Sequence, residues 1–212
     1  MPKRELHCGP TAISNCGRDG GGGGGDDPCF PSDAKVTLAN GTVVSIDSLT
    51  KGDTIFVATL DGVIATDEVT LLSIALPERT APFISLSTAN ATLRLTSEHH
   101  LPVGPTCCDS VKKAKDVVKG DVVWTANTKA ISSMVITEVS VANGVGLHSP
   151  VLMNGGFPIV DGFVTSFDSL EKVKLARKGL SSVLEACTAT GTCELFRNLF
   201  FGGDEKYVVP KL

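Results

Sequence analysis

Ser45–Ala58 reads SIDSLTKGDTIFVA, and Lys113–Ala126 reads KAKDVVKGDVVWTA. Lys51-Gly52-Asp53 falls on Lys119-Gly120-Asp121, and Phe56 falls on Trp124. Each stretch ends in a β-branched run after a Gly-Asp turn, which is how a short strand leaves a tight turn. Two further resemblances keep the same order. Thr66-Asp67-Glu68-Val69 resembles Ile136-Thr137-Glu138-Val139, and Asn90 to Leu95 resembles Asn154 to Ile159. Lys-Gly-Asp alone is merely good turn chemistry. Three ordered matches at similar offsets predict one β unit present twice and related by a pseudo-twofold.

Strand patterns continue on either side. Val36–Leu38 and Thr42–Ile46 flank Asn40-Gly41, the signature of a tight hairpin. Further candidates are Thr54–Val57, Glu68–Leu72, Phe83–Ser87, Thr92–Leu95, Val122–Thr125, Val135–Val141 and Phe157–Val160. Short strands between frequent turn residues predict an all-β domain. From Asp168 the period changes. Leu170, Val173, Ala176, Leu180, Val183 and Leu184 fall on one helical face, and Gly191 ends the pattern. Three segments follow from this reading. Residues 1–28 are a leader containing six consecutive glycines, Gly20–Gly25. Residues 29–167 are the β domain. Residues 168–212 are a small helical appendage, with Phe196, Leu199, Phe200 and Phe201 on an apolar face.

The chain has 212 residues, 42% of them hydrophobic and 5% aromatic, with net charge −4. That is enough for one medium domain with a mainly aliphatic core. The mild acidity gives no reason to expect nucleic-acid binding, and a monomer is expected. The seven cysteines, Cys8, Cys16, Cys29, Cys107, Cys108, Cys187 and Cys193, are odd in number. Pairing of Cys107 and Cys108 with Cys187 and Cys193 is one expectation and would staple the tail to the core. Buried thiols are the other. A zinc site from Cys107, Cys108, His99 and His100 is disfavoured, because adjacent cysteines suit tetrahedral ligation poorly. No metal or cofactor is expected.

Chemistry enters at Cys29, where the glycine-rich leader gives way to the β domain. A cysteine in that place can attack the carbonyl of Pro28. This N-to-S acyl shift turns the Pro28–Cys29 amide into a thioester. It needs an ionised thiol, a proton for the leaving nitrogen and a held scissile amide. Thr96-Ser97-Glu98-His99 offers a hydroxyl and an imidazole three residues apart at a strand end. His100 is a rival for the imidazole role. A lone Thr-x-x-His is usually just a turn; the duplicated β unit and the Cys at its start raise its weight.

Cys29-Phe30-Pro31, Leu49-x-x-Gly52-Asp53 and Leu95-Thr96-x-x-His99 together resemble the Hint family, which includes inteins and the Hedgehog autoprocessing domain. Leu147–Val151 and Val160–Ser166 resemble the closing segment of the Hedgehog type. The resemblance covers about residues 29 to 167. It implies a horseshoe-shaped all-β fold with internal duplication, Cys29 as nucleophile, and Thr96 and His99 as assisting residues. The implied reaction is autocatalytic cleavage, with the chain's own N-terminal segment as substrate. Three departures matter. Val164-Thr165-Ser166 stands where inteins carry His-Asn, Phe167 stands where Hedgehog domains carry a late cysteine, and no acid stands near Ser73-Ile74. Cleavage without splicing is therefore expected, with water, a thiol or a lipid alcohol as acyl acceptor. His148 replaces a family aromatic. It is a candidate base for the second step or, more simply, a surface loop residue. The tail sits where Hedgehog-like proteins carry an adduct-recognition region. Family resemblance and cysteine count point to a secreted protein, although Met1–Leu6 has no apolar signal core. A catalytically inactive Hint-like extracellular structural or binding module is the alternative.

Overall fold

The computed structural model describes residues 27–166, together with Ser182, Ala186, Ala189, Thr190, Gly191 and Thr192. The leader up to residue 26, Cys187, Cys193 and the aromatic cluster after Glu194 lie outside the described residues. Within the expected tail helix, Ser182, Ala186, Ala189 and Thr190 are helical.

The chain opens with a hairpin of β1 (Lys35–Thr37) and β2 (Val43–Ser45), paired Lys35 to Ser45 and Thr37 to Val43. Its turn is the expected Asn40-Gly41, with Gly41 at φ 87° and the Thr42 N–H bonded to Asn40 Oδ1. A 3-10 turn at Ile46–Ser48 leads to β3 (Thr54–Ala58). Between them Gly52 adopts φ 95°, which a side chain would resist. Its N–H donates to Val69 O, while Val69 N–H donates to Asp53 O.

The same construction recurs with β6 (His100–Pro102), β7 (Val111–Lys113), a 3-10 turn at Ala114–Asp116, β8 (Val122–Ala126) and β9 (Ile131–Val135). Gly120, at φ 97°, donates to Ile136 O, and Ile136 donates to Asp121 O. Bridges Leu38–Ile55 and Val103–Val123 are equivalent. Duplication is thus real, but its second match is slipped. Val69 corresponds to Ile136, not to Val139: a β8–β9 connection one residue shorter than the β3–β4 connection moves the register set by Lys-Gly-Asp back by one, away from the letter match. The shared Glu-Val letters are coincidental. The third match sets β5 (Thr92–Leu95) against β11 (Phe157–Val160), which have different neighbours.

Two long strands tie the copies together. β4 (Ile64–Ser87) pairs with β3 through its first part and antiparallel with β10 (Glu138–Leu152) through the rest. The sequence suggested two separate strands at Glu68–Leu72 and Phe83–Ser87. One strand runs through instead, and Pro77 sits where the ladder skips from Val145–Thr80 to Leu147–Leu76. Proline has no N–H to lose at that irregularity. β11 and β12 (Phe163–Val164) form a hairpin over Asp161 (φ 49°) and Gly162 (φ 78°), a turn that demands positive φ at both positions. Buried Asp67 fixes the preceding loop by accepting from Asn154 N and Nδ2 and from Gly156 N.

The main core gathers Ile46, Ile55, Leu86, Leu93, Leu95 and Leu101. It is mostly aliphatic, yet Phe30, Phe83, Phe157 and Phe163 are fully buried as well. A smaller cluster of Ala58, Cys108, Phe157 and Val164 lies beside Trp124. Cys107 is bonded to Cys108, so the expected staple from these two cysteines to Cys187 and Cys193 is not made. Adjacency in the β6–β7 loop lets the two thiols meet each other first.

Candidate active site

Residues Phe30 to Ser32 lie along β10. Phe30 and His148 exchange both backbone hydrogen bonds, each at 2.9 Å, and Ser32 N donates to Val145 O at 2.9 Å. Close approach is possible because β10 carries glycines there. A Cβ on Gly144 would lie 2.8 Å from the Phe83 ring. Gly146 has φ +88°, and a Cβ there would strike the Ser32 side chain and come within 2.9 Å of its backbone nitrogen. Gly146→Ala is therefore expected to destabilise the protein by about 2–4 kcal/mol, combining backbone strain with overpacking. Urea denaturation checks this; an unchanged midpoint would mean the segment is loosely held.

Thr96 follows directly on β5 and is fully buried. Its backbone N–H donates to Cys29 O at 2.9 Å. Its hydroxyl accepts the Cys29 N–H at 2.8 Å and donates to Asp27 O at 2.6 Å. One side chain therefore grips the backbone on both sides of Pro28, and Cys29 N is the nitrogen of the Pro28–Cys29 amide.

Thr96 to His99 is a turn closed by His99 N–H to Thr96 O at 3.1 Å. The second β copy holds it. Ala114 N donates to His99 O, and Lys115 N donates to Ser97 O. Glu98 is paired with Lys113 at 2.6 Å and with Lys115. Hydrogen bonds from these two lysines hold the Glu98 carboxyl below its ordinary value.

His99 is fully buried, and its ring packs on Phe30 with centroids 4.1 Å apart. Among the described residues no group meets hydrogen-bond geometry at either ring nitrogen. Burial pushes its pKa down to about 3, with neighbouring His100 adding to the fall and the Ser166 backbone opposing it. His100 is only half-buried; it pairs with Lys113 in β6–β7, and its carbonyl accepts from Ser166 N at 3.0 Å. Burial beside the Cys29 segment favours His99 over His100.

The His99 shift has a consequence for stability. Between about pH 6.5 and about pH 3 the unfolded chain takes up a proton that the folded chain refuses. The contribution is full above the unfolded value and is lost as pH falls toward the folded one. The wild-type Tm should therefore fall more steeply from pH 7 to pH 4 than that of His99→Gln. Parallel Tm curves would contradict a neutral buried imidazole.

Cys29 is fully buried among Ile74, Ala81, Phe83 and Leu147, with Leu76 beside them. In the ladder Leu147 faces Leu76 and Ser149 faces Ile74. The Phe30–His148 pair puts Ser149, itself 3% exposed, across from Cys29. Nothing in the sequence singled out Ser149, Ser32 or Gly146, because their relation to Cys29 exists only once β10 lies beside it.

His148 is not a surface loop residue. It lies in β10, is 3% exposed, and its Nε2 is 2.9 Å from Ser32 Oγ. Burial lowers its pKa, with the Asp47 charge opposing. As Phe30's ladder partner it shares the Phe30 face, whereas the Cys29 thiol lies with Leu147 on the other. The structure thus places Thr96 on Cys29 and His99 on the adjacent Phe30, and directs His148 to Ser32.

The Hint module family model matches residues 25–194. No curated protein matches the chain by sequence. Among solved structures it is similar to a DnaB intein from Synechocystis sp. PCC 6803, at 15% identity and TM-score 0.56, covering 66% of this chain and 98% of that one. A bacterial intein-like domain from Clostridium thermocellum is similar at 16% identity and TM-score 0.53, covering 65% and 96%. A KlbA intein precursor from Methanococcus jannaschii is similar at 16% identity and TM-score 0.54, covering 68% and 93%. At these identities the neighbours show the fold alone, but the family match spans the Cys29 segment, both β copies and the Thr96–His99 turn. The chain belongs to the Hint module family of self-processing domains.

Proposed function

We propose that this domain cleaves its own Pro28–Cys29 bond through an N-to-S acyl shift, without splicing. The Cys29 sulfur attacks the Pro28 carbonyl carbon. The carbon–nitrogen bond breaks, a thioester forms between Pro28 and Cys29, and the nitrogen leaves as the amine of Cys29. The proton lost by the thiol is the proton gained by that nitrogen, and His99 carries it. A pKa of about 3 makes the His99 imidazolium a strong acid, as a weakly basic amide nitrogen requires. Thr96 holds the scissile nitrogen by its N–H and keeps Asp27 in register.

The observation that carries this reading is the Thr96 hydroxyl, bonded at once to Cys29 N and Asp27 O. In the second step the acceptor attacks the thioester carbonyl, releasing the leader at Pro28 and restoring the thiol. Water is the default acceptor, with a thiol or a lipid alcohol as alternatives. Val164-Thr165-Ser166 in the place of a His-Asn pair supports release rather than splicing. The Cys107–Cys108 disulfide supports an oxidising, extracellular setting. Hydroxylamine tests the intermediate: at neutral pH it should release the leader as a hydroxamate at Pro28. Release of unmodified leader only, at an unchanged rate, would argue against a thioester.

A further inference from the structure

Buried His148 and partly buried Ser32 form a polar pair that the acyl shift as described does not use. They sit on the segment that carries the nucleophile. Ser32 is three residues beyond Cys29, and His148 is the ladder partner of Phe30. Backbone bonds from Phe30 to His148, from His148 to Phe30 and from Ser32 to Val145 lay residues 30–32 on β10. The Ser32 Oγ to His148 Nε2 contact at 2.9 Å closes the same segment through side chains. Gly146 lies between them, and its missing side chain is what leaves room for Ser32.

We propose that His148 and Ser32 are positioning residues, a side-chain clamp that fixes the Cys29 segment on β10 so that thiol and scissile carbonyl stay aligned. The proposal rests on the cleavage reading above. A nucleophile displaced by about 1 Å loses on the order of 10²-fold in rate, so even a partial loosening is measurable. The geometry separates this role from that of a base for the second step. A base for thioester hydrolysis must reach the attacking water near the thioester. His148 instead shares a face with Phe30, away from the thiol, and its Nε2 is committed to Ser32. Its Nδ1 has no hydrogen-bond partner among the described residues. A second-step base would leave Ser32 without a role, whereas a clamp requires both residues and makes them interdependent.

The test uses the full chain with single-turnover cleavage followed with and without dithiothreitol. The thiol replaces the second step, so it reports on thioester formation alone. His148→Ala and Ser32→Ala should each slow dithiothreitol-triggered cleavage about 10-fold. The double variant should be no slower than the slower single variant, and His148→Gln, which can still bond Ser32, should recover most of the rate. If His148→Ala slows only thiol-free hydrolysis, His148 is the second-step base and the clamp is wrong. Lowered Tm with unchanged cleavage would make the pair mere packing. Labelling of Ser32 by a fluorophosphonate would make it a nucleophile instead.

A second measurement does not depend on cleavage. In a Cys29→Ala background, amide exchange at Phe30 and Ser32 should quicken about 10-fold when Ser32 is also alanine, as local opening becomes easier. Unchanged exchange would overturn the clamp even if the wild type never cleaves. A wild type that stays whole with exchange quickened would instead refute the cleavage reading and leave the clamp standing.

Discussion

His99→Ala should slow cleavage at Pro28–Cys29 by about 10²–10⁴-fold, the usual contribution of a positioned acid–base group. His100→Ala should remain near the wild-type rate. The contrast follows from placement. His99 is fully buried against Phe30, while His100 is half-buried, with its backbone engaged by Lys113 and Ser166. Because the His99 pKa is about 3, the folded domain holds this imidazole neutral across the ordinary pH range. The rate should therefore show no inflection from His99 near pH 6.5 and should stay level through it, because the proton that leaves the thiol is the one the nitrogen gains. Single-turnover rates from pH 5 to pH 9 check both points. An acid limb near pH 6.5 that vanishes in His99→Ala would mean the imidazole titrates as a solvated one.

Thr96→Val should be nearly as damaging, at about 10²-fold, the scale of removing a positioned hydrogen-bond group from a buried site. Valine keeps the shape but neither accepts the Cys29 N–H nor donates to Asp27 O. It also removes both hydrogen bonds, for a stability loss of about 1–3 kcal/mol. Rates must therefore be compared where both proteins are folded, as judged by urea midpoints. Thr96→Ser keeps the hydroxyl and should retain most of the rate. Equal loss in the serine and valine variants would mean that Thr96 matters for packing and not for its hydroxyl.

The legible parts of this protein were the local ones. Gly52-Asp53 and Gly120-Asp121 announce their turns because positive φ and an Asp side chain bonding nearby backbone are chemistry written in adjacent residues. Thr50 N donates to Asp53 Oδ2, and Val118 N to Asp121 Oδ2. The same holds for Asn40-Gly41, and for Thr96 and His99, which a turn brings together. What stayed hidden depends on long-range pairing. The letters set Val69 on Val139, whereas the Gly-Asp turns and a loop one residue shorter put it on Ile136. Glu68–Leu72 and Phe83–Ser87 looked like two strands, because the ladder irregularity that accommodates Pro77 exists only once β4 lies beside β10. His148 looked like a loop residue because nothing nearby in sequence shows that residues 145–148 pair with residues 30–32. Cys107 and Cys108 looked like one half of a distant staple, since spacing alone does not say which thiols meet first.

The central claim is that the Pro28–Cys29 bond is both substrate and part of the active site. It is tested by intact mass of the chain with an N-terminal tag, held at neutral pH with and without dithiothreitol. The wild type should lose a fragment ending at Pro28, faster with the thiol, and Cys29→Ala should stay whole. A fragment ending at Asp27 would instead report acid-labile Asp-Pro hydrolysis, and its mass distinguishes it. A wild type that remains intact in thiol, or a Cys29→Ala variant that cleaves at the same bond, would contradict the account.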